Sequence, residues 1–267
     1  MKVLPLSLHM GSQTYKNYLD GRDIPFDKFY ARVRAGEMPT TSAVSVGDFE
    51  TEMRPILAAG QDILCLAFSS GLSTTCQSAV IAAGHLKEEY PERRVEVIDT
   101  LCASGGQGLL VYLCAKERDA GKSLDEVCAF ARAHVPHICH WFTVDDLHHL
   151  KRGGRISAAT ALFGTMLSIK PVLHVDDAGK LVNVEKARGR KASLLALLEH
   201  MAATARDPVH DPVFITHGDC LDDAEFLAGE VRRRFGTEHI FISYVGPVIG
   251  SHSGPGTMTL FFVGGER

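Results

Sequence analysis

Two short strand-like runs, each followed by a turn and a helical pattern, restrict most strongly what this chain can fold into. The runs are DILCLAF at residues 62–68 and VEVIDT at residues 95–100. The first is continuously apolar, as in a strand buried on both faces, and both are far too short to span a bilayer. Strands that alternate with helices form parallel sheets through right-handed crossovers. The sequence therefore predicts a parallel-sheet α/β unit in the first half of the chain.

Helices around these strands have start signals in the sequence. VGDFETEMRPILAAG, which precedes the first run, predicts a helix with Asp48 as a candidate N-cap. SLDEVCAFARAHV predicts a later helix that is capped by Ser123, with Glu126 three residues on to complete a capping box.

The pattern changes after about residue 136. HICHWFTV and HIFISYV have the composition of strands, and the turn residues Asp176 to Gly179 stand between two alternating runs, which predicts a hairpin. We therefore predict an α/β fold with two domains. Residues 1–135 form an N-terminal α/β/α domain with a parallel sheet, and residues 136–267 form a C-terminal α+β domain with a mixed or antiparallel sheet.

Net charge and cysteine usage narrow the class of protein. The formal net charge is −4, which disfavours a general nucleic-acid or membrane-surface binder. The 7 cysteines are scattered without a Cys-x-x-Cys pair, as in reduced proteins. The sequence opens without a basic-then-apolar leader. We expect a cytoplasmic protein with no nucleic-acid partner and no stable membrane insertion.

Hydroxyl side chains gather at places where a predicted strand or loop ends. Thr41 and Ser42 follow Pro39, and Ser69 and Ser70 follow the first apolar run. Ligands of open α/β sheets bind beyond the carboxyl ends of the strands, where helix N-termini favour anions. Serine and threonine also cap helices for structural reasons alone. The residues by themselves leave both interpretations open.

His252 lies between two serines and directly before Gly254-Pro255-Gly256, which predicts that it stands on a tight loop. Glycine allows another group to approach the backbone closely, so a ligand contact is one interpretation. A loop histidine that is only structural or exposed is the alternative.

Two other patterns do not identify a cofactor. The histidines at 137–149 do not form a recognisable set of metal ligands. SGGQG at 104–108 lacks both the Walker lysine and the full dinucleotide fingerprint, and such a glycine run is typical of a tight turn. We therefore expect no metal site and no nucleotide cofactor.

Basic residues are concentrated in two later stretches. LKRGGRIS contributes Lys151, Arg152 and Arg155, and KARGRKAS contributes Arg188 and Arg190. A charge run of this kind is commonly a solvated face. The alternative is a docking surface for an acidic partner, or a surface that contacts phosphate.

Taken together, the motifs resemble those of the DegV family, the fatty-acid-binding (FakB-like) subunits of bacterial fatty acid kinase. The family's order and spacing are matched over essentially the whole chain by MPTTSAVS, SSGLSTTCQSA, FTVDDLHHLKRGGRIS, LSIKPVLHVDDAGKLVNVEKARGRKA and GSHSGPG. The resemblance implies a two-domain protein that buries one long-chain fatty acid in a tunnel, with its carboxylate at the domain interface.

The resemblance also implies which residues hold the carboxylate. Carried over position by position, they are Thr41, Ser42, Ser69 or Ser70, and His252. A buried carboxylate without hydrogen-bond donors is very costly, and hydroxyls with a histidine supply neutral donors. We therefore expect a head-group site without a buried lysine or arginine.

A partner is implied as well. The resemblance suggests a non-catalytic subunit without a cofactor, from which a separate ATP-dependent kinase subunit of the FakA type phosphorylates the bound acid. It further suggests that the basic stretch near Arg155 and Arg188 faces that kinase.

The chain departs from the family pattern at two places. Family members usually begin with a further strand ending in Asp-Ser before the segment that opens this chain at MKVLPLSL, so either the start is late or the sheet is one strand short. Ser73-Thr74-Thr75-Cys76 replaces the common Ser-Gly-Thr-Tyr. A branched Thr74 in place of glycine is expected to narrow or reshape the head-group pocket.

Two alternative functions stay open. One is a hydrolase or acyltransferase that uses Ser70 with His252, although FSSGLS does not supply a Gly-x-Ser-x-Gly elbow. The other is a lipid-binding regulator that acts without a kinase.

Overall fold

The computed structural model describes residues 1–157 and 168–267; Leu167, which opens the LSIKPVLHV motif, lies outside the described residues. Strands and helices alternate through the first half of the chain. In order they are β1 (Ser7–Met10), β2 (Gln13–Lys16), α1 (Phe26–Arg34), β3 (Thr40–Ser42), α2 (Val46–Ala58), β4 (Ile63–Ala67), α3 (Thr75–Glu89), β5 (Val95–Asp99), α4 (Ser104–Asp119) and α5 (Leu124–His134).

One turn of 3-10 helix at Val135–His137 leads into the second half of the chain. The described elements that follow are β6 (Ile138–Thr143), α6 (Leu147–Arg152), β7 (Ile169–Val175), β8 (Leu181–Arg188), α7 (Arg190–Thr204), β9 (Val213–His217), α8 (Leu221–Phe235), β10 (Ile240–Tyr244), α9 (Pro247–Ser253) and β11 (Met258–Val263).

Capping boxes lie at the starts of two of these helices. Ser123 and Glu126 form the predicted capping box at the start of α5. The cap predicted for α2 was wrong, because Ser45 is the N-cap and Asp48 is its partner in a second capping box. The Ser45 hydroxyl lies just outside the helix, where it accepts the Asp48 N–H at 3.1 Å, while the Asp48 carboxylate accepts the Ser45 N–H.

The described strands form three sheets, which confirms the mixed α/β fold class. β4 and β5 pair in parallel, and β2, β1 and β3 form an antiparallel sheet that was not predicted. β4 packs on both faces as expected, with Ile63 and Cys65 against one apolar cluster and Leu64 and Leu66 against another, although these four residues stay partly exposed. A two-stranded sheet leaves the outer edge of each strand open.

The largest of these sheets has six strands in the order β10-β9-β11-β6-β7-β8. β10 and β9 are parallel and the other neighbours are antiparallel, so the sheet is mixed as predicted. β7 and β8 form the predicted hairpin, in which the Asp176 carboxylate accepts the N–H groups of Ala178 and Lys180 at 3.0 and 2.8 Å. Gly179 takes the left-handed backbone conformation that this turn needs, with φ of 71°.

Glycines in α4 bring this helix close to the six-stranded sheet. A methyl group at Gly105 would overlap the ring of Phe261, and one at Gly106 would overlap the ring of His140. The SGGQG segment is therefore the first turn of a closely packed helix rather than the tight turn that was expected. Close approach of helix to sheet explains the glycines without a phosphate ligand.

Elements of the two predicted domains pack against each other. α4 contacts β6, β9 and β11, and α1 contacts α9, where the Tyr30 hydroxyl donates to the carbonyl of Val245 at 2.7 Å. The division near residue 135 stays a prediction. In residues 1–157 and 168–267, every helix is too short or too polar to cross a bilayer.

Candidate functional site

A cavity of about 640 Å³ lies where the loops after β4 and β5 meet the six-stranded sheet, α6 and α9. This volume is in the range of sites that enclose small molecules. The apolar residues in its wall are Leu6, Ala43, Phe68, Leu72, Ala103, Phe142, Leu150, Val175, Leu181, Val248, Ile249 and Phe261. The polar residues in its wall are Thr41, Ser42, Ser70, Ser73, Thr74, Gln77, Ser104, His140, Arg155, His252, Ser253, Thr257 and Thr259.

The sheet supplies one wall of the cavity through strand alternation. Thr259 and Phe261 of β11 face the cavity, whereas the intervening Leu260 packs into the apolar cluster with α7 and α8. On β6, His140 and Phe142 face the cavity and are paired with Phe261 and Thr259 of β11. The loops beyond the carboxyl ends of β4 and β5 form the opposite wall, as expected for a ligand site in an α/β protein.

His140 is a fixed part of this wall. Its Nε2 accepts the Ala103 N–H at 3.2 Å, so Nδ1 carries the proton and donates to the carbonyl of Ile138 at 2.9 Å. Burial, with a smaller effect of Arg267, lowers the pKa of His140 to about 3. The ring is therefore neutral at pH 7 with both nitrogens occupied, and it offers the cavity only its carbon surface.

Thr41 and His252, which were predicted to meet, do meet in the cavity wall. Thr41 Oγ1 lies 2.8 Å from Nε2 of His252, although the two residues are 211 positions apart in the chain. Thr41 is the central residue of β3, held opposite Leu8 of β1, and α9 packs beside β3. The geometry thus joins the hydroxyl cluster that follows Pro39 to the serine-flanked His252.

The sequence predicted that His252 stands on a tight loop, and this prediction was wrong. His252 lies in the last turn of α9. Pro247 starts this helix and Gly254 ends it, so the Gly-Pro-Gly turn follows the histidine. α6 packs against α9 at this point, and a methyl group at Gly153 would overlap Nδ1 of His252. Reciprocally, one at Gly254 would overlap the ring of His149. These glycines let the two helices fix the imidazole.

The imidazole of His252 is neutral at pH 7. Burial, together with the nearby guanidinium groups of Arg155 and Arg152, lowers the pKa of His252 from 6.5 to about 4. Its Nδ1 is buried and has no hydrogen-bond partner in the part of the chain that the structure describes. A Ser-His-Asp arrangement needs a carboxylate at this atom, and none of the described carboxylates occupies that position.

The predicted serines divide into three situations. Ser70 is an exposed residue that lines the cavity, and its backbone N–H donates to Asp99 at 3.2 Å. Ser42 also lines the cavity, but its hydroxyl is 2.7 Å from Nε2 of His9. Ser69 is fully buried outside the cavity wall, where its hydroxyl donates to the carbonyl of Gly179 at 2.8 Å. Ser69 therefore joins the serine turn to the β7–β8 hairpin.

Arg155 lies in the cavity wall. The sequence predicted instead that this residue faces a partner, and that the head-group site has no buried lysine or arginine. Its guanidinium group is half-buried and donates to the carbonyls of Gly153 and Leu72. Burial lowers the pKa of Arg155, but an arginine stays charged at neutral pH. The cavity wall thus contains a positive charge beside His252, and the sequence did not lead us to expect one there; that the head-group donors are neutral stays a prediction.

The other predicted basic residues differ in exposure. Lys151, Arg152 and Arg188 are exposed, as a docking surface requires. Arg190 is instead engaged with acidic neighbours, because its Nε donates to Asp223 at 2.8 Å and its Nη1 lies 3.7 Å from Asp145.

Sequence reasoning did not select Ser253 as a site residue, although it lines the cavity and is only 4% exposed. Its position next to His252 was visible in the sequence, but nothing there showed that α9 turns this side chain inward. Thr74, which replaces the family's usual glycine, does line the cavity.

Metal and thiol chemistry find no support in the described part of the chain. Residues 1–157 and 168–267 contain no group of three histidine, cysteine, aspartate or glutamate side chains that could hold a metal ion. Burial raises the pKa of the thiols of Cys65, Cys102, Cys114 and Cys139 to about 12. The reactive thiolate is therefore strongly disfavoured at these four positions.

The fold and the cavity define a mixed α/β protein in which hydroxyl, imidazole and guanidinium groups share an internal cavity with apolar side chains. The chain belongs to the DegV family, because the family model described as "Uncharacterised protein, DegV family" matches residues 1–264. This result confirms the resemblance seen in the sequence motifs. A DegV domain-containing protein of Clostridium perfringens is 44% identical over 267 residues, which are 100% of this chain and 91% of that protein.

Solved structures share the fold over nearly the whole chain. A fatty-acid-binding DegV family protein from Thermus thermophilus is 32% identical with a TM-score of 0.87, and the match covers 98% of this chain and 91% of that chain. The fatty acid kinase (Fak) B3 protein of Streptococcus pneumoniae, loaded with linoleic acid, is 22% identical with a TM-score of 0.86, covering 97% and 90%. At this lower identity the similarity establishes the common fold.

Proposed function

We propose that this protein binds one long-chain fatty acid in the cavity, with the carboxylate at the Thr41–His252 pair, and presents it to a separate ATP-dependent kinase subunit. The observation that carries the proposal is the 2.8 Å contact between Thr41 and His252 in a cavity that also has Phe142, Leu181 and other apolar side chains in its wall. The Thermus thermophilus relative, described as a fatty-acid-binding protein, supports the choice of ligand.

The apolar part of the wall favours an alkyl tail. Burying a methylene group is worth about 0.8 kcal/mol, so a tail of about a dozen methylenes gains roughly 10 kcal/mol before the costs of binding. Phe142 and Leu150 belong to an apolar cluster that continues behind the cavity, and Phe261 belongs to the cluster around α4. The tail would contact side chains that are already held in place by the core.

The polar part of the wall suits a carboxylate. Because His252 is neutral and its Nδ1 faces the backbone of Gly153, the tautomer with the proton on Nε2 leaves no buried donor unpaired. Nε2–H then donates to Thr41 Oγ1, and the Thr41 hydroxyl hydrogen is free to donate to a ligand oxygen. Ser70 adds a second hydroxyl, and Arg155 adds a charge that offsets the desolvation of the carboxylate.

The partner in this proposal rests on family resemblance and on the surface beside the site. Lys151 and Arg152 end α6, the helix that packs on α9, and both are exposed. Arg188 is exposed at the end of β8. A positively charged surface next to the bound carboxylate suits a partner that brings ATP phosphates to it. In the transfer, a carboxylate oxygen attacks the γ-phosphorus and ADP leaves, so the chemistry belongs to the kinase and this chain acts as a non-catalytic subunit without a cofactor.

Lipid binding is tested on gently purified protein by native mass spectrometry, in which one fatty acid per chain is expected. Delipidated protein should then bind hexadecanoic acid much more tightly than its methyl ester, because only the acid presents a carboxylate. Protein that is recovered empty and binds neither compound would overturn the proposed function.

The head-group contact is tested by Thr41→Val, which keeps the shape of the side chain and removes the hydroxyl. We expect affinity for hexadecanoic acid to fall about tenfold or more, since hydrogen bonds to charged groups are worth about 1.5–3 kcal/mol. Thr237→Val is the matched control, because the Thr237 hydroxyl donates to Pro208 and does not line the cavity. Equal affinities in the two variants would contradict the assigned head-group position.

Presentation to a kinase is tested separately from binding. The loaded protein is mixed with ATP and a fatty acid kinase catalytic subunit, and acyl phosphate is trapped with hydroxylamine as the hydroxamate. Hydroxamate that requires all three components supports the proposal. Loaded protein that yields none with an active kinase would instead favour the kinase-independent regulator.

The serine hydrolase alternative is disfavoured by the geometry, because Nε2 of His252 is engaged with Thr41 rather than Ser70.

A further inference from the structure

Ser253 carries a buried hydroxyl group that the protein itself does not satisfy. The residue is 4% exposed, and its Oγ has no hydrogen-bond partner within residues 1–157 and 168–267. Buried hydroxyls in native proteins are nearly always paired, because leaving one unpaired costs about 1–3 kcal/mol. Ser253 also lines the cavity, so its partner can be supplied by whatever occupies that space.

The neighbouring serine of the same helix shows the ordinary arrangement. Ser251 is 3% exposed, and its hydroxyl donates to the carbonyl of Pro247 one turn earlier at 2.7 Å. Ser251 does not line the cavity. Two serines of similar burial, two positions apart in α9, thus differ in two respects: Ser251 is satisfied by its own helix away from the cavity, whereas Ser253 lines the cavity and its hydroxyl has no partner among the described residues.

The surroundings of Ser253 indicate what its partner is. It directly follows His252, whose ring is bound to Thr41, and Thr257 beside it uses its own hydroxyl hydrogen on the carbonyl of Gly254 at 2.7 Å. A carboxylate has two oxygens and about four acceptor positions, so the Thr41 and Ser70 hydroxyls do not exhaust it. A further hydroxyl donor at this end of α9 suits an oxygen of the ligand better than any part of an alkyl tail.

We propose that the Ser253 hydroxyl donates a hydrogen bond to the carboxylate of the bound fatty acid and is an additional head-group residue of this protein. The inference rests on the proposed function, since it assigns a further contact in the same site. It makes a distinctive prediction: the hydroxyl stabilises the liganded protein and slightly destabilises the empty one.

The experiment compares Ser253→Ala with Ser251→Ala in the delipidated protein. Affinity for hexadecanoic acid is measured by isothermal titration calorimetry, and stability of the empty protein by urea unfolding. We expect Ser253→Ala to weaken binding about tenfold or more while leaving the urea midpoint unchanged or raised, because it removes an unpaired buried group. We expect Ser251→Ala to lower the urea midpoint, because it breaks an existing hydrogen bond, with affinity changed less than twofold.

A second arm tests whether Ser253 contacts the head group or the tail. Saturated acids of 12 to 18 carbons share one head group, so the ratio of wild-type to Ser253→Ala affinity should be the same for all of them. A ratio that grows with chain length would overturn the assignment to the carboxylate, since it would place the contact along the tail.

Two results separate this inference from the proposed function. Wild-type protein that binds hexadecanoic acid, with Ser253→Ala binding equally well, would overturn the role of Ser253 and leave the proposed function intact. A wild-type protein that binds no fatty acid would overturn both. Ser253→Thr keeps a hydroxyl at this position, and recovery of affinity in that variant supports hydrogen bonding over a change in cavity shape.

Discussion

The two faces of β11 differ in what they pack against: one belongs to an apolar core cluster and the other lines the cavity. Met258, Leu260 and Phe262 pack into the closed apolar cluster with α7 and α8, whereas Thr259 and Phe261 face the cavity. All five are buried to a similar extent, between 0 and 6% exposed. Burial therefore does not distinguish core from site here. What distinguishes them is whether the opposite wall is protein or a space that a ligand can fill.

Truncation on the core face should have the largest effect on folding. Leu260→Ala leaves a hole that α7 and α8 cannot fill completely, so we expect a loss of about 2–5 kcal/mol in the free energy of unfolding. Thr259→Val on the cavity face breaks its contacts with Thr216 and should cost about 1 kcal/mol. Urea unfolding of delipidated protein measures both. Equal losses would show that the two faces are not energetically distinct.

Acid should act through the cavity side of the molecule, where His252 has a lowered pKa. The unfolded chain binds a proton at His252 near pH 6.5 and the folded protein only near pH 4, so the stability from the neutral ring is complete above pH 6.5 and is lost as pH falls toward 4. Between pH 7.5 and 5, the empty wild-type protein should lose about 2 kcal/mol more than His252→Gln.

The measurement is urea unfolding of both proteins across that pH interval. Burial also lowers the pKa values of His149 and His217, so acid destabilises the folded protein through these histidines as well. The informative quantity is therefore the difference between wild type and His252→Gln. Parallel stability profiles for the two proteins would contradict a neutral, buried imidazole at this position.

The smallest effect, and the sharpest contrast, is expected between two adjacent serines. Ser69→Ala removes the hydrogen bond to Gly179 and should cost about 1 kcal/mol of stability with little change in fatty acid affinity. Ser70→Ala removes an exposed cavity hydroxyl and should weaken affinity while stability stays within about 0.5 kcal/mol. Calorimetric binding and urea unfolding separate the two roles, and a reversal of this pattern would reassign the serine turn.

Many of the helices and strands, and several residues of the cavity wall, could be predicted from the sequence because they are marked by residues close together in the chain. The hydroxyl cluster after Pro39 marked Thr41, the one after the first apolar run marked Ser70, and the family motif marked His252, which the structure brings beside Thr41. The capping box of Ser123 was recognisable for the same reason, since the cap and its partner are three residues apart.

The remaining features depend on contacts between distant segments. The Ser69 hydroxyl is buried against the carbonyl of Gly179, which is 110 positions later in the chain, and this contact is not visible in the sequence around the two serines. Arg155 entered the cavity wall because the carbonyls of Gly153 and Leu72 hold its guanidinium group there. A run of basic residues in the sequence does not show which of them is turned inward. Likewise, the glycine-rich stretch around α9 suggested a loop and did not show that His252 lies in a helix.

The separation of 211 residues between Thr41 and His252 has a consequence for protein synthesis. At about 5–20 residues per second, a ribosome needs about 10–40 seconds to go from the first of these codons to the second. During that interval the nascent chain can form β1, β3 and the parallel pair, but the imidazole that completes the pair does not yet exist. Capture of a ligand between these two side chains must therefore follow translation of α9, and a chain that stops short of residue 252 carries only half of this contact.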